Sequence, residues 1–113
     1  MFDGNARAYI EANIKATASL ASVVCSDEQS SVDAKLKLIG VITGLENEML
    51  DFISSFSIFE TDAFTVNSCL GRLIEINGGL IRYTEKLQLK GYKLDQVIHT
   101  LKLENRTIKE MML

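Results

Sequence analysis

With 113 residues the chain has room for one domain around one hydrophobic core, because compact domains typically hold about 100–150 residues. Hydrophobic residues make up 47% and charged residues 24%, a globular balance that excludes an intrinsically disordered chain. The net charge of −3 is unevenly spread: residues 1–80 carry five bases and eleven acids, a balance of −6, whereas residues 81–113 carry seven bases and four acids, a balance of +3.

There is no proline, which favours long helices joined by short loops. The first segment, about residues 4–25, places Tyr9, Ile10, Ile14, Leu20, Ala21 and Val24 on one arc at the helical period. Arg7, Glu11 and Lys15 are spaced by four, which lets them pair along the helix. Ala8, Ala12, Ser19 and Ser22 cover the remaining surface, so Ala8 and Ala12 are candidates for contact with a partner on a second, charge-poor side.

Ser26 to Ser31 offers several helix caps, including Ser30 followed three residues later by Asp33. A helix of about 31–56 follows, with Leu38, Val41, Ile42, Leu45, Met49, Phe52, Ile53 and Phe56 as its expected core arc. Asp33, Lys37, Glu48 and Asp51 lie opposite, together with Gly40 and Gly44. The neighbouring acids Glu46 and Glu48 read as a solvated helix flank.

Ser57 with Glu60, or Thr61 alone, can cap a third helix of about 61–89. Val66, Cys69, Leu70, Leu73, Ile74, Ile76, Leu80, Ile81, Tyr83 and Leu87 share its apolar half. The rival is a β-hairpin turning at Asn77-Gly78, a strong two-residue hairpin signal. The continuous helix is the favoured reading, since two internal glycines cost about 2 kcal/mol and burying several large side chains offsets that.

Lys90-Gly91 reads as a stop, with Gly91 in the left-handed position after the last turn. The fourth helix, about 94–112, carries Leu94, Val97, Ile98, Leu101, Ile108, Met111 and Met112 on a narrow stripe; Leu103 alone falls on the wrong side. The steps 94, 98, 101, 105, 108 and 112 are heptad-like, with Asn105 at a seam position where a polar side chain can set register or oligomeric state. Leu94, Ile98, Leu101, Asn105 and Ile108 are therefore candidates for partner binding.

Four such helices predict an all-α, up-down bundle in a single domain over residues 1–113, open and completed by self-association or by a partner. No stretch approaches the roughly 18 apolar residues that cross a bilayer, so no membrane is expected; the start lacks a secretory signal, and a cytoplasmic location is the default. Cys25 and Cys69 lie 44 residues apart without metal spacing and read as buried reduced thiols. No nucleophile with its base, no metal cluster and no phosphate cradle is visible, and His99, the single histidine, lies opposite the apolar stripe. Catalysis and cofactors are not expected.

Residues 89–109 resemble the helix-turn-helix of bacterial transcription regulators. Gly91 precedes a short helix with Val97 and Leu101, then a turn carrying Leu103, then a second helix with Arg106, Thr107, Ile108 and Lys109. The resemblance implies DNA contact through Arg106 and Lys109, within the one part of the chain whose charge suits a polyanion. It departs at Ile98, where the family has alanine, at Lys102, where it has a turn glycine, and at Glu104, where it has a serine cap. The favoured expectation is a protein-interaction module, an adaptor, chaperone or regulatory subunit working through amphipathic helices, with a protein partner or a second copy as its target. At the level of class it resembles the dedicated chaperones of bacterial secretion systems.

Overall fold

The computed structural model describes residues 4–26, 31–55 and 63–112. They form four α-helices: α1 (Gly4–Ser26), α2 (Val32–Ser54), α3 (Ala63–Leu89) and α4 (Asp95–Met111). No strand occurs among the described residues, and the chain is a small all-α bundle of 48 × 24 × 17 Å. The expected boundaries agree to within two residues.

Steps of three and four residues generate each buried face. On α1 it runs Ile10, Ile14, Thr17, Ala21, Val24; on α2, Lys35, Ile39, Ile42, Glu46, Met49, Ile53; on α3, Val66, Leu70, Leu73, Asn77, Leu80, Thr84, Leu87; and on α4, Leu94, Ile98, Leu101, Glu104, Ile108. This is the heptad spacing that keeps a seam facing its neighbours along antiparallel helices. α1 packs along α2 and α3, and α3 packs along α4. α2 and α4 face each other across a shallow groove lined from both helices.

Local signals set the ends. The Ser31 side chain accepts from the backbone N–H of Ala34 at 3.2 Å, a cap worth about 1 kcal/mol. The capping serine is thus Ser31; Ser30 lies outside the described residues, as do the proposed caps Ser57, Glu60 and Thr61. At the end of α3 the N–H of Tyr92 reaches the carbonyl of Leu87 at 3.3 Å and that of Gly91 reaches Gln88 at 3.0 Å. That pair of bonds requires Gly91 at a φ of +106°, as the stop signal implies.

α3 runs without a break through Ile74–Ile81, so Asn77-Gly78 is not a hairpin turn. Leu73, Asn77 and Leu80 lie on one buried line, which a hairpin would split between two faces. α4 is likewise one helix through Lys102 and Leu103, so the turn and second helix of a helix-turn-helix are missing. Leu101 and Ile108 both reach the core from a single straight helix, while Leu103 stays 51% exposed and needs no turn to bury it.

The core face of α2 is rotated from the expected arc. Val41 is 52% exposed, and Ile39 and Leu50 are buried in its place. The cause is polar residues at core positions: Lys35 and Glu46 lie on the axis of the buried face, and weighing side chains by hydrophobicity turns the apparent face away from them. On α1, Tyr9 is 41% exposed and packs its ring against Phe52 at 4.7 Å rather than entering the core.

Candidate functional site

The hydrophobic core is interrupted halfway along the bundle. One apolar cluster holds Ile10 and Ile14 of α1, Met49 and Ile53 of α2, Leu70 and Leu73 of α3, and Ile108 of α4. A second holds Ala21 and Val24, Ile39 and Ile42, Leu80, and Leu101. On every helix the residue between the two clusters is polar: Thr17 on α1, Glu46 on α2, Asn77 on α3, and Glu104 with Asn105 on α4. Four helices therefore supply one polar layer at a common level.

Within it Asn77 Nδ2 donates to Asn105 Oδ1 at 2.9 Å, tying α3 to α4. Thr17 Oγ1 donates to the carbonyl of Asn13 at 2.7 Å and so satisfies itself within α1. With both carboxyls ionised, the oxygens of Glu46 and Glu104 and Oδ1 of Asn77 are buried acceptors without a strict hydrogen bond, and a proton on one carboxyl is what lets Glu46 and Glu104 bond each other. A buried carboxyl without donors is expensive in its charged form, and two side by side repel. Burial pushes Glu46 up to about 9, with the Glu104 charge and a hydrogen bond to Glu104 adding to the rise and the Asn77 amide opposing it. Burial also raises Glu104, to about 7, while hydrogen bonds from Glu46 and Asn77 pull it back. Burial therefore favours the protonated form of both carboxyls, most strongly that of Glu46.

The layer has an opening. Glu104 lines the α2–α4 groove together with Thr43, Asn47, Leu50, Thr100, Leu103 and Thr107, around a volume of about 230 Å³. Further along, Leu36, Ile39, Gly40, Val97 and Leu101 line a more apolar part of about 180 Å³. Thr43 and Thr100 border both parts. A separate polar pocket of about 570 Å³ lies against the buried Lys35, which donates to the Tyr83 hydroxyl with its ammonium 4.9 Å from that ring's centre.

Glu46 is not a solvated flank: its neighbour Glu48 is exposed, but the heptad step from Ile42 to Met49 carries Glu46 inward. Leu94, Ile98, Leu101 and Ile108, read as partner-binding, are buried against the chain's own helices, because α3 and α2 already cover that stripe. Asn105 is half-buried and engaged with Asn77, whereas Ala8 and Ala12 are exposed. Arg106, Lys109 and His99 are exposed on a continuous α4. Both cysteines are free, with Cys25 on the surface rather than buried and Cys69 half-buried; partial desolvation of each sulfur by its neighbours is the largest influence on its thiol and raises both. No described helix is long and apolar enough to cross a membrane.

Fold and site together define a small helical bundle with a carboxyl pair buried in its core. Compared with protein-family models, with curated proteins and with solved structures, the chain matches none.

Proposed function

We propose that this chain is a protein-interaction module that pairs with a second copy of itself through the α2–α4 face. The reading rests on an exposed leucine and a bare glycine at opposite ends of that face. At one end Leu103 stands 51% exposed at the groove's rim; at the other, Gly40 opens a recess beside Leu36, Ile39 and Val97, and a Cβ on Gly40 would meet nothing within 4 Å. Thr43 and Thr100 lie midway. A two-fold axis there brings each copy's Leu103 to the other's Gly40 recess, as an isologous interface requires. Gly44, one turn along α2, is equally bare and gives a second helix room to approach.

Sedimentation equilibrium at micromolar concentration tests this pairing. The native chain is expected to be dimeric. Leu103→Glu is expected to be monomeric, with helix content and melting temperature little changed because the side chain is exposed. A native chain that is monomeric throughout, or a Leu103→Glu dimer of undiminished affinity, overturns the reading.

A further inference from the structure

We propose that the polar pocket beside Lys35, at the end of the bundle where α1 and α3 finish and α2 begins, is a binding site for a phosphate monoester, held by the ammonium groups of Lys35 and Lys90 and the hydroxyls of Tyr83 and Tyr92.

Lys35 stands one turn into α2 and is 7% exposed, yet among the described residues no carboxylate forms an ion pair with it. A buried ammonium without a counter-charge is costly, and one hydrogen bond to the Tyr83 hydroxyl with the face of that ring offsets only part of the cost. An ammonium has three protons to donate, so its remaining N–H groups call for acceptors. The N-terminal end of a helix also disfavours a cation and favours an anion, so the start of α2 adds to the demand.

The pocket supplies room for one. About 570 Å³ of open space lies against that ammonium, within the range that small-molecule ligands occupy. Among the described residues that line it, the other charged side chain is a second cation, Lys90, and there is no acid. On another wall, burial raises the Cys25 thiol while the charges of Lys35 and Arg82 pull it down, and no carboxylate adds to the rise.

The donors select the ligand class. Two lysines match the double charge that a phosphate monoester carries above its second pKa of about 6. The Tyr83 hydroxyl accepts from Lys35 and keeps its own proton to donate, and the Tyr92 hydroxyl offers another. A carboxylate, with one charge, would leave one lysine unmatched. A free phosphorylated molecule and the headgroup of phosphatidic acid present the same group, and Leu89, 90% exposed beside Lys90, suits contact with a lipid surface.

Calorimetric titration of the full chain with inorganic phosphate, at pH 8 and constant ionic strength, is expected to show saturable binding, and acetate should bind at least about tenfold more weakly. Lys35→Met replaces a buried charge by an apolar chain of similar length. The variant should fold with an undiminished melting temperature and bind phosphate at least about tenfold more weakly, as loss of one charge-assisted hydrogen bond implies. Lys90→Gln, at an exposed position, should weaken binding without disturbing the fold, and Lys37→Gln, on the exposed side of α2, should bind as the native chain does. Saturating phosphate should also slow alkylation of Cys25 and leave that of Cys69 unchanged, as read by peptide mass spectrometry. Co-sedimentation with phosphatidylcholine vesicles, with and without phosphatidic acid, separates the sources. Association that needs both phosphatidic acid and Lys35 assigns a headgroup; phosphate binding without it assigns a free molecule. No saturable phosphate binding, or binding undiminished in both Lys35→Met and Lys90→Gln, overturns the site. That is the result if Asp27 or Glu28, which lie outside the described residues, supplies the counter-charge of Lys35. The outcome is independent of the pairing through Leu103, which sedimentation equilibrium reads separately.

Discussion

Leu101→Ala is expected to destabilise the fold by about 2–5 kcal/mol, the usual cost of a buried large-to-small change that the surroundings cannot refill. Leu101 has no exposed surface and packs with Ala21, Val24, Ile39, Ile42 and Leu80, side chains from all three other helices. A cavity there is framed by helix backbones that cannot collapse independently. Leu103→Ala, two residues on but 51% exposed, is expected to change stability by less than about 0.5 kcal/mol. Urea unfolding of both variants, with sedimentation of the same samples, separates core from interface. If Leu101→Ala loses association while its unfolding midpoint is unchanged, the α4 stripe serves a partner and the core assignment fails.

The second large effect is expected from the carboxyl pair, and its sign is opposite. Glu46→Gln should stabilise the protein at pH 8 by about 2–4 kcal/mol, because the amide keeps the shape, never ionises and can donate to Glu104. The native protein should lose stability as pH rises. The folded state keeps Glu46 protonated to about 9 and Glu104 to about 7, against the ordinary value of 4.5 in the unfolded chain. Below about pH 4.5 both states hold these protons, and the pair adds no pH dependence. From there to about 9 the folded state binds more protons than the unfolded one, so stability declines at up to about 1.4 kcal/mol per pH unit for each proton in excess. Above that range the loss is complete. Denaturant melts at pH 5.5 and pH 9 should show the native midpoint falling and that of Glu46→Gln falling less. A native midpoint equal at both values, or a Glu46→Gln protein no more stable than the native one at pH 8, would mean that the pair is solvated.

The same layer bears on register. A polar residue at one heptad position per helix penalises any sliding of the helices, since a shifted Glu46 or Asn77 would be set against leucine. The bond from Asn77 to Asn105 specifies one alignment of α3 on α4. Asn105 was legible as a seam residue from its spacing. Asn77 was hidden by Gly78, whose pairing with asparagine imitates a hairpin turn, and Glu46 by Glu48, whose company suggests a solvated flank. A usable signal was nonetheless present: on each helix the steps 10, 14, 17, 21; 42, 46, 49, 53; 70, 73, 77, 80; and 98, 101, 105, 108 contain one polar residue at a heptad position.

By itself the amino-acid sequence determined the four helices and their ends, because those depend on forces local to a few turns: period, the serine and glycine caps, and the absence of proline. Which face of α2 points inward, and that Glu46 and Glu104 meet, was decided only by the tertiary structure. A carboxyl's burial is a property of the helices packed around it, and hydrophobicity summed along one helix assigns such a side chain to water. In the bundle, the apolar layers on either side hold it inside, where burial raises its hold on a proton.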